Sequence, residues 1–230
     1  MASRSRRLLA EFLGALLLTA VVVGSGIAAQ HLSPGDRGLE LTENAFATAL
    51  GLFAIIAVFA PISGAHLNPY ISLVDAALGR RSWLDAALYI PAQIAGCVAG
   101  AILANLMFGR AMVSISTTDR LTPSHFLSEI VATAGLILIV FLLARSGQQR
   151  LAPAAVGAYI GAAYLFTSSA SFANPAITIA RMFSNTFAGI APSSALGFIA
   201  AQAIGAALGL LLVRILVPVP RLDEKVGIDR

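Results

Sequence analysis

Two asparagine–proline pairs, Asn68-Pro69 and Asn174-Pro175, carry the clearest chemistry in this sequence of 230 residues. Asparagine is a favoured helix N-cap and proline a favoured first helical residue, so each pair predicts the start of a helix. The capping oxygen accepts a backbone N–H of its own helix, which leaves the amide NH₂ free to donate. Each helix start also presents about half a positive charge. The pairs therefore favour a small neutral solute over cations, including protons, unless they merely start two buried helices.

Two carboxylates, Glu11 and Glu129, fall inside apolar stretches. A carboxylate at the centre of a membrane helix costs about 2.5–3.5 kcal/mol on insertion scales, so it needs compensation. Their equivalent placement argues against a proton relay and favours acceptance of backbone N–H groups from irregular loops. No metal-ligand spacing, phosphate loop or nucleophile–base set is recognisable, so we expect no metal, no cofactor and no enzymatic activity. Cys97 is expected to be a small buried hydrophobe.

The composition places these residues in a membrane. Of the residues, 58% are hydrophobic and 11% charged, with a mean hydropathy of +0.85. Soluble domains carry about 25% charged residues, and disordered chains require low hydrophobicity, so both classes are excluded. The formal charge of +4 comes from basic residues at segment ends, a pattern that does not predict nucleic-acid binding. We therefore expect an all-α integral membrane protein with one domain over 1–230 and the lipid bilayer as a partner.

The apolar segments come in two lengths. Those long enough to span a bilayer are 8–29, 44–60, 84–107, 124–144, 153–168 and 192–216, the fifth being a little short. Two shorter segments, 61–78 and 168–183, hold the asparagine–proline pairs. Irregular backbone at membrane depth is tolerated only inside protein or along a water-filled cavity. Each short segment is therefore predicted to be a re-entrant loop followed by a half-helix.

The two halves of the chain, about 8–107 and 124–216, repeat. Gln93 corresponds to Gln202, as Asn68 does to Asn174, and each half carries a G-x-x-x-G spacing, Gly96/Gly100 and Gly205/Gly209. With three spans per half, the second half must be inverted, which puts the functional site at the midplane between the halves. Most of the 15 Lys and Arg residues fall in loops on the side of the N-terminus, so both termini are predicted to be cytoplasmic.

Four short motifs resemble the aquaporin and aquaglyceroporin family, the major intrinsic proteins. Ser-Gly-Ala-His-Leu-Asn-Pro at 63–69 and Ser-Phe-Ala-Asn-Pro-Ala at 171–176 are similar to its paired Asn-Pro-Ala boxes. Ala-Glu-Phe-Leu-Gly at 10–14 and Ala-Gln-Ile-Ala-Gly at 92–96 look like the same family. The resemblance implies six spans with two half-helices and a homotetramer with one pore per subunit. It also implies passive flow of water and small neutral solutes across a bacterial plasma (inner) membrane.

The sequence departs from this family at the selectivity filter. Most members have an arginine directly after the second box, where this chain has Ile177 after Pro175 and Ala176. By resemblance, the other filter positions fall at Thr48, at Ser171 and at either Gly161 or Ala162. Such a filter is small and uncharged, so we expect solutes of glycerol size or larger to pass. Members with an aliphatic residue at the arginine position resemble those associated with arsenic detoxification, which adds uncharged metalloid acids and methylated arsenicals to the expected solutes.

Three residues near the pore have two interpretations each. Arg181 shares a helix face with Ile177, so it either replaces the filter charge about one turn, roughly 5.4 Å, further out, or binds loop carbonyls. Tyr70, beside Pro69 where the family has alanine, either narrows the bore or, as we favour, packs away from it. His66 either lines the cytoplasmic half of the pore, as the resemblance implies, or bonds the re-entrant backbone.

The sequence leaves alternatives to a glycerol-type channel. A strict water channel is disfavoured by Ile177, although Tyr70 could restore a narrow bore. A secondary transporter also uses inverted repeats and broken helices, but the pore here lacks a charged coupling site. A non-conducting adhesion protein of the same fold would show no solute flux.

Overall fold

The computed structural model describes residues 2–217 and shows helices without any strand over that range. The helices are α1 Arg4–Leu32, α2 Arg37–Ser63, α3 Pro69–Ala77, α4 Trp83–Met107, α5 Pro123–Arg145, α6 Ala152–Phe166, α7 Pro175–Arg181 and α8 Pro192–Leu216. One 3₁₀ turn, Gln149–Leu151, precedes α6. The predicted all-α fold class is confirmed. The C-terminal part of the predicted domain, 218–230, with its basic residues, lies outside the described residues.

Five of the helices are long and apolar enough to cross a membrane, and α6, with 15 residues, is the short fifth span that the sequence predicts. The second span is longer than predicted at both ends. Asp36 caps its start by accepting Leu39 N–H at 3.0 Å, and its end includes Pro61. The prediction that the first re-entrant segment starts at residue 61 is therefore wrong. Pro61 lacks only its own N–H, so the helix continues past it, and the chain leaves the helix only at Gly64, whose φ is +96°.

The helices pack as two equivalent sets. In the first half α1 packs on α2 and α4, and in the second half α5 packs on α6 and α8. The halves meet where α2 lies against α6, and the half-helices α3 and α7 contact each other and the last span of the opposite half. This is the predicted inverted arrangement of three spans and one half-helix in each repeat.

The glycine pairs allow the close approach of the first and last span of each half. A Cβ atom added to Gly100 would lie 2.2 Å from Leu16 O, and one added to Gly205 would lie 2.5 Å from Ile130 O. Both atoms are backbone carbonyl oxygens of the neighbouring helix, and they cannot move aside as the end of a flexible side chain can. The α1–α4 and α5–α8 contacts therefore require residues without a Cβ at these positions.

Candidate functional site

The first re-entrant loop is held by Glu11 of α1, a fully buried carboxylate. One of its oxygens accepts Ser63 Oγ at 2.6 Å and the backbone N–H of His66 at 3.0 Å. The other accepts the N–H of Leu67 at 2.7 Å and the side-chain amide of Gln93 at 2.8 Å. All four donors are therefore satisfied without water, and the charge is compensated by hydrogen bonds rather than by a cation.

The second re-entrant loop is held in the same way by Glu129 of α5. Its carboxylate accepts Ser169 Oγ at 2.7 Å, the N–H groups of Phe172 and Ala173 at 2.9 Å each, and the amide of Gln202 at 2.7 Å. The two loops contain non-glycine residues in the left-handed region, which cost conformational energy that such fixed contacts offset. These residues are Ala65, Leu67, Ala170, Ser171 and Ala173.

Each half-helix begins at its asparagine. Asn68 Oδ1 accepts the N–H of Tyr70 at 2.9 Å, and Asn174 Oδ1 accepts the N–H of Ala176 at 2.9 Å. Both asparagines have extended backbone, and a proline follows each of them as the first helical residue. The side-chain oxygens are therefore committed to the caps, which fixes the direction of the amide NH₂ groups.

The two asparagines also tie the half-helices together. Asn68 Nδ2 donates to Ala173 O, and Asn174 Nδ2 donates to Leu67 O, both at 2.8 Å. An amide nitrogen carries two hydrogens, so one N–H of each side chain is left over after this contact. Since both asparagines line the central cavity, these remaining donors face it.

A cavity of about 380 Å³ passes the two asparagines and extends to both sides of them. Its wall is mostly aliphatic, with Leu52, Ile56, Val140 and Ile160 among the lining residues. Polar groups are concentrated along the re-entrant loops and at the two ends. A passage with one apolar wall and one row of hydrogen-bonding groups suits a solute that must exchange its hydration for fixed partners.

The end of the cavity beyond the second box is lined by Thr48, Tyr164, Ser171 and Ile177, together with Arg181. Thr48 Oγ1 and the Tyr164 hydroxyl are 3.4 Å apart. The prediction that the fifth span contributes Gly161 or Ala162 here is wrong, because neither residue lines the cavity.

Gly161 and Ala162 lie on other faces of α6. A Cβ on Gly161 would lie 2.8 Å from Ala49 Cβ, so Gly161 sits in the α2–α6 contact, and Ala162 is on the exposed face. Counting along the sequence missed the position because the side of α6 that faces the cavity depends on how this helix packs against α2. Tyr164 takes the place next to Thr48, and a buried aromatic hydroxyl in a short apolar helix is the signal that could have identified it.

Arg181 lies at this end of the cavity and is 2% exposed. Its Nε donates to Ala188 O, and its guanidinium carbon lies 3.5 Å from the centroid of the Phe172 ring. Both interpretations from the sequence thus describe part of the arrangement: the side chain binds a loop carbonyl and lines the cavity.

A second arginine holds the loop that Arg181 binds. Arg120, in the loop before α5, donates from Nε to Gly189 O at 2.7 Å and from Nη2 to Phe187 O at 2.6 Å. Burial lowers the pKa of its guanidinium. Arg181 binds the carbonyl of Ala188, which lies between those of Phe187 and Gly189. The two arginines therefore hold three consecutive carbonyls and fix the loop that borders this end of the cavity.

The opposite end of the cavity carries a charged cluster. Asp75 of α3 forms ion pairs with Arg80 at 3.1 Å and Arg81 at 3.3 Å, and His66 Nε2 lies 3.3 Å from the same carboxylate. His66 Nδ1 is 3.0 Å from Ser72 Oγ. His66 therefore both lines the cavity and fixes α3. Its pairing with Asp75 could not be predicted from the sequence.

Tyr70 is absent from the cavity wall. Its hydroxyl donates to Ile199 O of α8 at 3.0 Å, and its ring is half-buried against the hydrophobic core. Cys97 is fully buried and also lies away from the cavity. Over residues 2–217 no group of three His, Cys, Asp or Glu side chains could hold a metal ion.

Comparison with known proteins accounts for this architecture. The family model described as "Major intrinsic protein" matches residues 1–173. The chain is 46% identical over 210 residues to Aquaglyceroporin AqpS of Rhizobium meliloti, covering 91% of this chain and 89% of that protein. This chain belongs to the major intrinsic protein family. The predicted family resemblance is therefore confirmed, and this family of membrane channels carries water and small neutral solutes.

Two further relatives agree with that assignment. The chain is 32% identical over 150 residues to a glycerol uptake facilitator protein of Streptococcus pneumoniae, covering 59% of this chain and 63% of that protein. The X-ray structure of the aquaglyceroporin from Plasmodium falciparum superposes with a TM-score of 0.72 at 19% identity, over 98% of this chain and all of that one. That likeness shows that the fold of this major intrinsic protein is shared at low sequence identity. The chain is thus a multi-pass membrane protein.

Proposed function

We propose that this major intrinsic protein is a passive channel for water and small neutral solutes of at least glycerol size. The observation that carries the proposal is the position of Ile177, which is 4% exposed and lines the outer end of the cavity directly after the second box. An aliphatic side chain leaves more room there than an extended guanidinium would. It also gives the carbon atoms of a solute an apolar surface, which a strict water filter does not need.

The charges around the cavity support a neutral solute. Asp75 is the one carboxylate that lines it within residues 2–217, and two arginines are paired with it. At the centre the asparagines present donors, and both half-helix N-termini point there with partial positive charge. A cation would lose its hydration without finding a compensating anion, so passage of cations is opposed.

The names of the relatives agree with this solute class. One is called an aquaglyceroporin and another a glycerol uptake facilitator protein. Glycerol and the uncharged metalloid acids, such as arsenous acid and its methylated forms, share a small size, hydroxyl groups and no charge. We include them among the solutes of this channel because the filter offers hydroxyl partners at Thr48, Tyr164 and Ser171 and an apolar wall at Ile177.

The assembly and location form part of the same proposal. We infer a homotetramer with one pore per subunit in the plasma membrane, both termini cytoplasmic. The mouth formed by Asp75, Arg80 and Arg81 then faces the cytoplasm, and the mouth at Arg181 faces outward. Support comes from the clustering of basic residues on the N-terminal side. The channel carries solutes without transforming them.

A bore narrowed by Tyr70 to admit water alone is not supported by the geometry. The Tyr70 hydroxyl is bound to Ile199 O, and the residue does not line the cavity. Its side chain therefore fills space between α3 and α8.

The test compares glycerol and water permeability of proteoliposomes by stopped-flow light scattering. The variant Ile177→Arg should lose glycerol permeability by about ten-fold or more while keeping water flow, because the added guanidinium narrows the outer end. Ile177→Leu is the matched control, since it keeps an aliphatic side chain of the same size and should conduct glycerol as the wild type does. A wild-type protein that conducts water but no glycerol would contradict the proposal.

A further inference from the structure

A second cavity, which we call the polar pocket, lies where α1 ends and α2 and α5 begin, between Gln30, Glu40, Arg120 and Phe187. Its volume is about 580 Å³, and among the described residues it shares no lining side chain with the pore cavity. Apart from Phe187 and Gly35, every residue of its wall has a polar side chain. A cavity of this composition suits a polar ligand rather than an apolar one.

Glu40 brings a carboxylate without a partner to the polar pocket. The residue is 6% exposed, and within residues 2–217 its carboxylate accepts no hydrogen bond and forms no ion pair. It lies in the first turn of α2, where the helix dipole favours a negative charge but compensates it only in part. A buried carboxylate is otherwise stable as an ion only where a cation or several N–H groups reach it. The pocket therefore offers a place for a cationic donor.

Two guanidinium groups of the same pocket form no ion pair in the described part of the chain. Arg37 is exposed at the start of α2. Arg120 uses Nε and Nη2 on the carbonyls of Gly189 and Phe187, so its Nη1 remains available to a ligand. Burial lowers the pKa of Arg120, and the charge of Arg37 lowers it further, so the two cations repel each other. An anionic group bound by both arginines would offset that repulsion.

The other two ionisable residues of the pocket are already fixed by the protein. Asp119 Oδ1 accepts the Ser194 hydroxyl and the N–H of Leu121, and thereby holds the start of α8. His125 Nδ1 lies against Arg120 O, and since a carbonyl only accepts, the ring hydrogen is on Nδ1 and Nε2 is left as a neutral acceptor. With two arginines, two carboxylates and a neutral histidine, the formal charge of the pocket is zero.

We propose that the polar pocket binds a small zwitterion, an α-amino acid with an uncharged side chain. Its ammonium group donates to the Glu40 carboxylate, and its carboxylate accepts from Arg37 and from Nη1 of Arg120. A simple cation is repelled by the two arginines and a simple anion by Glu40. A ligand with separated charges of both signs compensates all three groups, and because it has no net charge it leaves the pocket neutral.

This site is separate from the path of the solutes. Phe187 lines the polar pocket, whereas Ala188, the next residue, is bound by Arg181 of the pore cavity. A zwitterion carries two full charges, and the asparagines at the centre of the pore present only neutral donors, so its entry into the pore is opposed. The ligand therefore contacts the loop that borders the pore and is not itself conducted.

The test measures binding to full-length protein in lipid nanodiscs by isothermal titration calorimetry, with L-alanine as the probe. N-acetyl-L-alanine lacks the ammonium group and L-alaninamide lacks the carboxylate, so each should bind at least about ten-fold more weakly. Glu40→Gln and Arg37→Gln should weaken the binding of L-alanine by about the same factor. Matched controls are Glu43→Gln, one turn further along α2, and Arg110→Gln, exposed in the loop after α4. Neither residue lines the pocket, so both variants should bind L-alanine as the wild type does.

Each result supports or overturns the site. It is overturned if the wild-type protein shows no saturable binding of L-alanine, or if Arg37→Gln binds it as the control variants do. A derivative that binds as tightly as L-alanine would show that the pocket takes a simple anion or a simple cation, which also overturns the zwitterion. If Glu40→Gln does not fold, Arg37→Gln decides by itself, because Arg37 is exposed. Binding is measured without solute flux, so a failure of the proposed channel function would show separately, as a wild-type protein that conducts no glycerol.

Discussion

Glu11 and Glu129 accept the same four hydrogen bonds from equivalent groups in opposite repeats. In each case the donors are one serine hydroxyl, two successive backbone N–H groups of a re-entrant loop and one glutamine amide. A carboxylate offers about four lone-pair sites, so both are saturated. Full burial of two charges is therefore tolerated, and the loops are fixed at the depth where the asparagines meet.

The first prediction concerns this saturation. Glu129→Gln keeps the size of the side chain but replaces one acceptor oxygen by an NH₂ group that faces existing donors. At least two donors then lose their acceptor, which should destabilise the fold by about 2 kcal/mol or more. The midpoint of thermal unfolding in detergent measures the loss. Asp36→Asn is the matched acid-to-amide control and should leave the midpoint unchanged, because asparagine caps a helix as well as aspartate does.

If the Glu129→Gln variant had the same midpoint of thermal unfolding as the wild type, the hydrogen bonds of Glu129 would not be what holds the second re-entrant loop. Glycerol permeability gives a second readout, since a displaced loop would also move Asn174 away from the pore centre.

The second prediction concerns helix contact. Gly100→Ala puts a Cβ 2.2 Å from Leu16 O, so α1 and α4 must separate and the protein should lose stability and yield. Gly24→Ala is the control, because its nearest neighbour, Phe108 Cε2, lies at an ordinary 3.5 Å. Alanine in a helix interior is favoured over glycine by roughly 0.5–1 kcal/mol, so this control should be neutral or slightly stabilising. Equal folded yields of the two variants after membrane extraction would show that α1 and α4 do not depend on this close approach.

The third prediction concerns the end of the cavity beyond the second box. Tyr164→Leu shortens a side chain that lines it and should raise the permeability of polyols longer than glycerol, such as erythritol, about two-fold or more. Ala162→Leu is the control on the same helix and should change nothing, because Ala162 faces away from the cavity. Swelling rates of proteoliposomes in erythritol measure both. If Ala162→Leu changed the erythritol permeability more than Tyr164→Leu did, the filter residue of α6 would be Ala162, one of the two positions predicted from the sequence.

The elements that could be predicted from the sequence are those set by short-range patterns. The caps at Asn68 and Asn174 depend on a residue and its immediate successor, and the glycine spacing on α4 and α8 depends on one helical turn. The pairing of Glu11 with the first loop could be expected because a buried carboxylate has few other ways to be satisfied. The hydropathy pattern predicted the membrane spans. It did not predict that α2 includes a polar first part and Pro61, because neither feature raises the mean hydropathy of the segment.

The fold class, the inverted repeat and the two asparagine donors could be predicted from the order of the amino acids, because each leaves a local signature of composition or spacing. The folded chain was needed to show that Tyr164, and neither Gly161 nor Ala162, lines the cavity. The rotation of a short helix such as α6 about its axis depends on its packing against α2. The same holds for the ion pairs: Asp75 forms them with Arg80 and Arg81, whereas Arg181 forms none with a carboxylate of residues 2–217. The arginines that pair with Asp75 lie only five and six residues further along the chain, so this difference depends on how the turn after α3 folds back on the half-helix.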